Sequence, residues 1–186
     1  MPVKPPSPLP STSRFELELL SRAHDREGFS SGLESVDDYL KRTARGHAEK
    51  DVSRTWVLVE AAALPPKNIW GYFTLTATCA ADAGEWPRAP KGLPRQAVPL
   101  VLLGRLAVAL AAQGMGIGSM LVAAAQQLAA ETIARIGGIG LVVDAANEDV
   151  VAFYERFGFR RTARDAMRLF LPTASLGSAP IIPRMA

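Results

Sequence analysis

Cysteine is nearly absent from this sequence: Cys79 stands alone, and the only histidines are His24 and His47. A single cysteine forms no internal disulfide, and so small a set of soft ligands argues against a structural zinc site. No metal is expected, and a reducing, cytoplasmic setting is. Cys79 lies in an apolar Thr-Ala-Thr-Cys-Ala-Ala context with no histidine near it, so it is expected as buried packing rather than as a nucleophile. Long apolar runs are missing too. The most apolar stretch, Leu100 to Ala112, is cut by Arg105 and followed by Gln113, so no membrane span is expected. The N-terminal MPVKPPSPLPST has five prolines and lacks the apolar centre of a signal peptide. Residues 1–12 are therefore expected as a disordered leader.

The 186 residues are 48 % hydrophobic, enough for one domain with a sizeable core. That domain is placed at 13–172. The remainder, 173–186, holds Gly177, Pro180 and Pro183 and is expected as a flexible tail. The net charge of +3 and pI near 9.3 conceal an uneven distribution. Lys41, Arg42, Arg45, Lys50 and Arg54 crowd one segment; Arg156, Arg160, Arg161, Arg164 and Arg168 crowd another. On one face these groups would form a polyanion footprint; apart, they read as ordinary solvated faces.

The central stretch is Leu103 to Gly118, LGRLAVALAAQGMGIG. An apolar strand ends at Val108 and leads to Gly114, Gly116 and Gly118, after which Ser119 to Arg135 reads as a helix. Glycines at a strand-to-helix turn let successive backbone N–H groups face one point, and the helix start adds unpaired amides and a positive dipole end. A Walker A loop would need a lysine before Ser119, and a dinucleotide fingerprint would need glycine where Ser119 stands. Neither requirement is met. Gln113-Gly114-Met115-Gly116-Ile117-Gly118 instead fits Q/R-x-x-G-x-G/A, while an ordinary glycine-rich turn remains the plain alternative.

Around this stretch the patterning predicts strands at Arg14–Leu20, Ser53–Ala61 and Ile69–Ala77, with Pro65 to Asn68 turning the chain between the last two. A helix is predicted over Glu34–Ala48, with Ser35, Asp37 and Asp38 near its start. Ala81 to Pro99, rich in glycine and proline, is predicted as a long loop placed like a substrate-side flap. Then follow a buried strand at Ile139–Asp144, a helix at Asn147–Phe157 ended by Gly158, and a hairpin formed by Arg160–Ala163 and Met167–Leu171. This order is mixed α/β, with crossover character only in the middle.

A second pattern, Asn147-Glu148-Asp149-Val150-Val151-Ala152-Phe153-Tyr154-Glu155-Arg156-Phe157-Gly158-Phe159, resembles N-x-x-A-x-x-x-Y-E-x-x-G-F, with Val150 where alanine is usual. Packing alone would put Phe153 and Phe157 in the core and leave Tyr154 partly buried. Chemically, a phenol beside a thioester sulfur can supply the proton that a departing thiolate needs. Together the two patterns resemble the signatures of the GNAT acetyltransferases, in the family's order. The resemblance implies a GNAT fold with a mixed sheet of about seven strands flanked by about four helices, and acetyl-CoA as donor. It implies that Leu106, Ala107 and Val108 pair with the pantetheine arm, that Gln113, Gly114, Met115, Gly116, Ile117 and Gly118 hold the pyrophosphate, that Asn147 helps hold the donor, and that Tyr154 is the general acid.

No carboxylate occurs within Leu103–Val108. A lysine amine with a pKa near 10.4 would need a base, whereas an α-amine near 7.7–8.0 already has a substantial neutral fraction, so a water relay could suffice. The acceptor is therefore expected to be an α-amine. Further segments, including Phe29-Ser30-Ser31-Gly32, Val36 to Leu40, Ile69 to Leu75 and Arg168 to Pro172, resemble the tRNA-acetylating toxins of type II toxin–antitoxin systems. Ser31-Gly32 departs from the Cys-Gly frequent there, and Ala109 from an aspartate. This narrower resemblance implies an aminoacyl-tRNA substrate, a ribbon-helix-helix antitoxin, operator DNA bound through that complex, and a homodimer. Arg42, Arg45, Lys50, Arg54, Arg160, Arg161 and Arg164 are then expected to receive the acceptor stem. Two other readings stay open: an acetyltransferase of a small amine or protein N-terminus, and a non-catalytic acetyl-CoA-binding subunit of a repressor complex.

Overall fold

The computed structural model describes residues 14–80, 86–93 and 97–177. The expected leader, and the tail from 178 on, lie outside the described residues. In chain order the elements are β1 (Phe15–Leu19), β2 (His24–Asp25), α1 (Glu34–Asp38), α2 (Ala44–Glu49), β3 (Arg54–Glu60), β4 (Lys67–Asn68), β5 (Gly71–Ala80), β6 (Val98–Val108), α3 (Ile117–Ile136), β7 (Gly140–Asp144), α4 (Glu148–Glu155), β8 (Arg160–Arg161) and β9 (Arg168–Pro172). Seven strands form one sheet in the order β1-β3-β5-β6-β7-β9-β8, as the mixed α/β reading predicted. Only β6 and β7 run parallel, joined by the crossover helix α3; the other neighbours are antiparallel.

Alternation along the strands builds two cores. Phe73, Leu103, Val143 and Leu169 face α3 and α4, where Ile117, Leu121, Ala125 and Val151 meet them. The opposite face is covered in two patches. Val57, Val59, Tyr72 and Ala107 pack on Tyr39, Leu40 and Ala44 of the α1–α2 segment, and Leu100, Val142 and Phe170 pack on Trp86. Helix α3 starts two residues earlier than predicted, with Gly116 as N-cap at φ +80°, and it stops at Gly137.

Several expectations are corrected. The helix predicted over Glu34–Ala48 is interrupted by a π-helical turn at Tyr39–Thr43. The Arg26 guanidinium inserts there, donating to the Lys41 and Leu40 carbonyls and taking up groups that a regular helix would use internally. Ser35, Asp37 and Asp38 do not cap α1, whose N-cap is Leu33 without a side-chain bond. Lys67–Asn68, predicted as a turn, pairs in parallel with His24–Asp25 as a separate two-stranded sheet. Cys79 is exposed rather than buried: it pairs with Pro99 next to the last β5–β6 pair, Ala80–Val98, and it is Ala80 and Val98 that turn into the core. The described part of the predicted flap is anchored to the core by one residue: the Trp86 ring sits edge-on to Phe170 at 5.3 Å, with Ala89 and Leu93 packed beside it, while Arg88, Pro90, Lys91 and Gly92 are exposed. Residues 81–85 and 94–96 of that loop lie outside the described residues. The start of the predicted tail is packed as well, with Thr173 Oγ1 donating to Gly138 O at 3.0 Å and Leu176 lying against the core.

Gly140 begins β7 where no side chain fits. A Cβ there would stand 2.3 Å from Leu171 O and 2.4 Å from Phe170 Cε2. Gly140→Ala is expected to destabilise the fold by about 1–3 kcal/mol through overpacking, read as a lowered denaturant midpoint at unchanged m-value.

Candidate active site

Strand β6 is paired on its β7 side only over Val101–Leu103, against Leu141–Val143. The β5–β6 register shifts at the same place, with Thr74 opposite Arg105 but Leu75 opposite Leu103, so Gly104 is the extra residue of a β-bulge. A bulge bends its strand and ends pairing. Beyond it, Leu106, Ala107 and Val108 keep β5 on one side and, among the described residues, have no strand on the other. Backbone amides and carbonyls in such a gap are available to a ligand that carries peptide-like groups.

The gap leads to the glycine loop. Gly114 and Gly116 have φ values of +78° and +80°, a left-handed conformation that favours glycine, and nothing stands within 4 Å of a Cβ built on either. No side chain caps α3, so its first amides lack an acceptor within the helix. With the dipole end, these amides have the geometry and polarity that suit an anion. A cleft of about 420 Å³ opens here, lined by Val108, Gln113, Gly114, Gly116, Ile117 and Gly118 among the predicted residues. Phe153 and Arg156 of α4 form its other wall. A Cβ on Gly118 would lie 3.5 Å from Phe153 Cζ and 3.8 Å from Val108 Cγ2, so β6, α3 and α4 converge at that residue.

Leu106, Ala107, Met115 and Asn147 do not line this cleft. Asn147 instead caps α4, its Oδ1 accepting from Val150 N at 3.0 Å. Gln113 turns its amide away from the glycines, Nε2 donating to Ser31 O at 2.9 Å and Val108 O at 3.2 Å. It thereby ties the cleft to the Ser30–Gly32 loop. That loop is anchored in turn by buried Asp37, which accepts from Ser31 N at 2.9 Å and Ser31 Oγ at 2.6 Å. Phe153 and Phe157, expected in the core, are only half-buried; the fully enclosed ring is Phe159. Two contributors were not foreseen as part of the site. Arg156 lies over the Phe153 ring at 5.4 Å, and buried Gln126 of α3 donates to Phe157 O at 3.1 Å, fixing the end of α4.

The chain has three tyrosines. Tyr72 donates to Val36 O at 2.7 Å, and Tyr39 Oη lies 3.1 Å from Ser53 Oγ. Only Tyr154 makes no hydrogen bond through its hydroxyl among the described residues. Its ring is 5 % exposed and packs edge-on to Phe153 and Phe159 at 5.3 and 5.4 Å. The enclosed side-chain atoms without a partner are Thr55 Oγ1, Trp70 Nε1 and Trp86 Nε1, so the Tyr154 hydroxyl is unpartnered yet not sealed from solvent. Burial pushes its phenol well above the ordinary tyrosine range, which keeps it protonated.

The two arginine groups do not merge. Arg54 and Arg161 lie in one register row, through Leu75, Leu103, Val143 and Leu169. Five strand spacings separate β3 from β8, roughly 24 Å at about 4.8 Å each. Most of these cations are paired: Arg42 with Asp38, Arg45 with Glu49, Arg54 with Asp51, and Arg161 with Glu148 and Glu155. Arg160 donates to Phe159 O. Exposed pairs of this kind contribute about 0–1 kcal/mol and open readily to a phosphate. Among the described residues no group of three or more His, Cys, Asp or Glu is placed to hold a metal, and no helix is long and apolar enough to cross a membrane.

Open strand backbone running into an anion-binding loop suits a donor with an amide-bearing arm and a diphosphate, the carrier that acyltransferases use. Comparison with known proteins makes the assignment: the family model "Acetyltransferase (GNAT) domain" matches residues 52–161, and the chain belongs to the GNAT acetyltransferases. Within them it is 32 % identical over 152 residues to a tRNA-acetylating toxin of Mycobacterium tuberculosis, covering 82 % of this chain and 88 % of that protein. A tyrosine-to-phenylalanine mutant of KacT superposes with a TM-score of 0.78 at 30 % identity, over 88 % of this chain and 97 % of KacT. AtaT complexed with acetyl-methionyl-tRNAfMet gives 0.78 at 28 % identity, over 87 % and 96 %. The fold is shared with AtaTR bound with AcCoA and with an AtaT–AtaR complex bound to DNA.

Proposed function

We propose that this protein is a toxin that transfers an acetyl group from acetyl-CoA to the α-amino group of an aminoacyl-tRNA and so blocks translation. The unused Tyr154 hydroxyl, on the helix that walls the cleft, carries the reading, and the kinship with tRNA-acetylating proteins supplies the substrate class. Acetyl-CoA supplies the acetyl thioester. The unpaired edge at Leu106–Val108 holds the pantetheine amides, and the amides of Gly114 to Gly118 with the start of α3 hold the pyrophosphate, with Arg156 beside them. Tyr154 Oη carries the proton for the departing sulfur. Asp144, at the end of β7, is engaged through both carboxylate oxygens by Arg168 at 2.6 and 2.8 Å and is no free base. An α-amine, substantially neutral near pH 8, needs none.

The same reading pairs the protein with a ribbon-helix-helix antitoxin and, through that complex, with operator DNA; it makes the protein a cytoplasmic homodimer. Incubation with labelled acetyl-CoA and total charged tRNA is expected to label the aminoacyl group. Labelling of polyamines or protein N-termini but not of tRNA would replace this reading with one of a small-amine or protein acetyltransferase.

A further inference from the structure

Arg14, Arg42, Arg45, Arg54, Arg161 and Arg168 each face a carboxylate. Arg105 faces none among the described residues. It is exposed and lies over a ring, Cζ 4.1 Å from the centroid of Tyr39, near enough to the Tyr72 phenol for its charge to be felt there. That ring is held rigidly. Tyr39 is buried at the start of the π-helical turn, its hydroxyl lies 3.1 Å from Ser53 Oγ and 3.4 Å from His47 Nδ1, and the His47 ring packs edge-on against it. A guanidinium held over an aromatic face keeps its charge and loses rotamer freedom, while N–H groups not turned to the ring stay open to an anion.

The position of Arg105 gives this anion site a purpose. It lies two residues past Leu103, the last β6 residue paired with β7, so it stands at the mouth of the gap. Its partner Tyr39 belongs to the sheet face covered by the α1–α2 segment, whereas the glycine-loop cleft lies at the start of α3 on the other face. A donor in the cleft and an acceptor passing Arg105 would meet at the gap from opposite sides.

We propose that Arg105 is a positioning residue that clamps a phosphodiester of the single-stranded 3′ end carrying the aminoacyl group, setting the α-amine at the gap between β6 and β7. This rests on the aminoacyl-tRNA reading above. The test uses the full chain and its Arg105→Gln and Arg105→Lys variants. Steady-state acetylation of a charged tRNA is measured together with tRNA binding over a salt series. Arg105→Gln is expected to raise KM about tenfold or more with kcat within about threefold, and to lower the slope of log affinity against log salt by about one. Arg105→Lys keeps the charge but loses the forked guanidinium held over the ring, so it is expected to restore the salt slope and only part of the affinity. Acetyl-CoA affinity by calorimetry reports folding, and Arg105 is exposed. A fall in kcat at constant KM, or a salt slope unchanged in Arg105→Gln, overturns the proposal. Failure of the wild-type protein to acetylate any charged tRNA overturns the underlying reading instead, and that result shows in the wild-type arm alone.

Discussion

Tyr154→Phe is expected to lower acetyl transfer by about 10²- to 10⁴-fold, the usual contribution of a positioned general acid, while acetyl-CoA affinity stays within about twofold. The substitution removes one oxygen and keeps the ring. Because the hydroxyl makes no hydrogen bond among the described residues, no partner is stranded and the fold loses nothing by its removal. Packing against Phe153 and Phe159 is preserved. The loss should therefore fall on turnover rather than on binding, and single-turnover kinetics with calorimetry separate the two. Turnover equal to wild type would remove Tyr154 from the chemistry. The pH profile adds a second readout. Burial raises the phenol well above its ordinary value, so the proton stays in place through neutral and mildly alkaline pH. With an α-amine acceptor, kcat/KM should rise through about pH 8 as the amine deprotonates, then stay level to about pH 10. A decline beginning below pH 9 would contradict a buried phenol as the acid.

Phe159→Ala is expected to cost about 3–5 kcal/mol, the range for emptying a fully buried aromatic site. Phe159 is wholly enclosed and follows Gly158, which turns the chain at φ +90° so that the ring comes back under α4. Its ring buttresses Tyr154, so the cavity would open beside the proposed proton donor. Thermal unfolding should move down by roughly 6–20 °C, at about 2–4 °C per kcal/mol for a chain of this size. Turnover of the folded fraction should fall as well, because Tyr154 loses one of the two rings that hold it. A melting temperature within 2 °C of wild type would show that the site collapses around the missing ring. Phe159→Leu, which refills part of the volume, should recover much of the stability and less of the turnover.

The elements most legible in advance were those whose chemistry is local. Gly114 and Gly116 adopt the left-handed conformation that a glycine-rich anion loop implies, and Gly158 turns the chain at φ +90°, although α4 ends earlier than predicted, at Glu155 with Arg156 as its C-cap; glycine conformation is a property of a residue and its immediate backbone. The boundaries of β1, β3 and β7 were found within a residue or two by alternation and apolar content. Errors fell where a distant side chain intervened. Arg26 converts part of the Glu34–Ala48 helix to a π-helical turn, and Asp37 serves the Ser31 loop instead of capping its own helix. His24 and Asp25 recruit Lys67 and Asn68 into a second sheet. Nothing in the neighbouring residues announces such partners.

By itself the sequence determined the order of the main-sheet strands and of the two helices that follow β6 and β7, the glycine-rich turn of Gln113 to Gly118, and the presence of a tyrosine at the place the acetyltransferase signature requires. Those follow from glycine stereochemistry, apolar periodicity and residue type, which act within a few residues. The tertiary structure decided everything that depends on who lacks a partner. The bulge at Gly104 and the early end of β7 leave Leu106 to Val108 unpaired. Long-range hydrogen bonds occupy the hydroxyls of Tyr39 and Tyr72 and leave that of Tyr154. Ion pairs neutralise Arg42, Arg45, Arg54 and Arg161 and leave Arg105 lying on a ring. An unsatisfied donor, acceptor or charge is defined only once every other group has found its own partner, and those partners come from across the sheet.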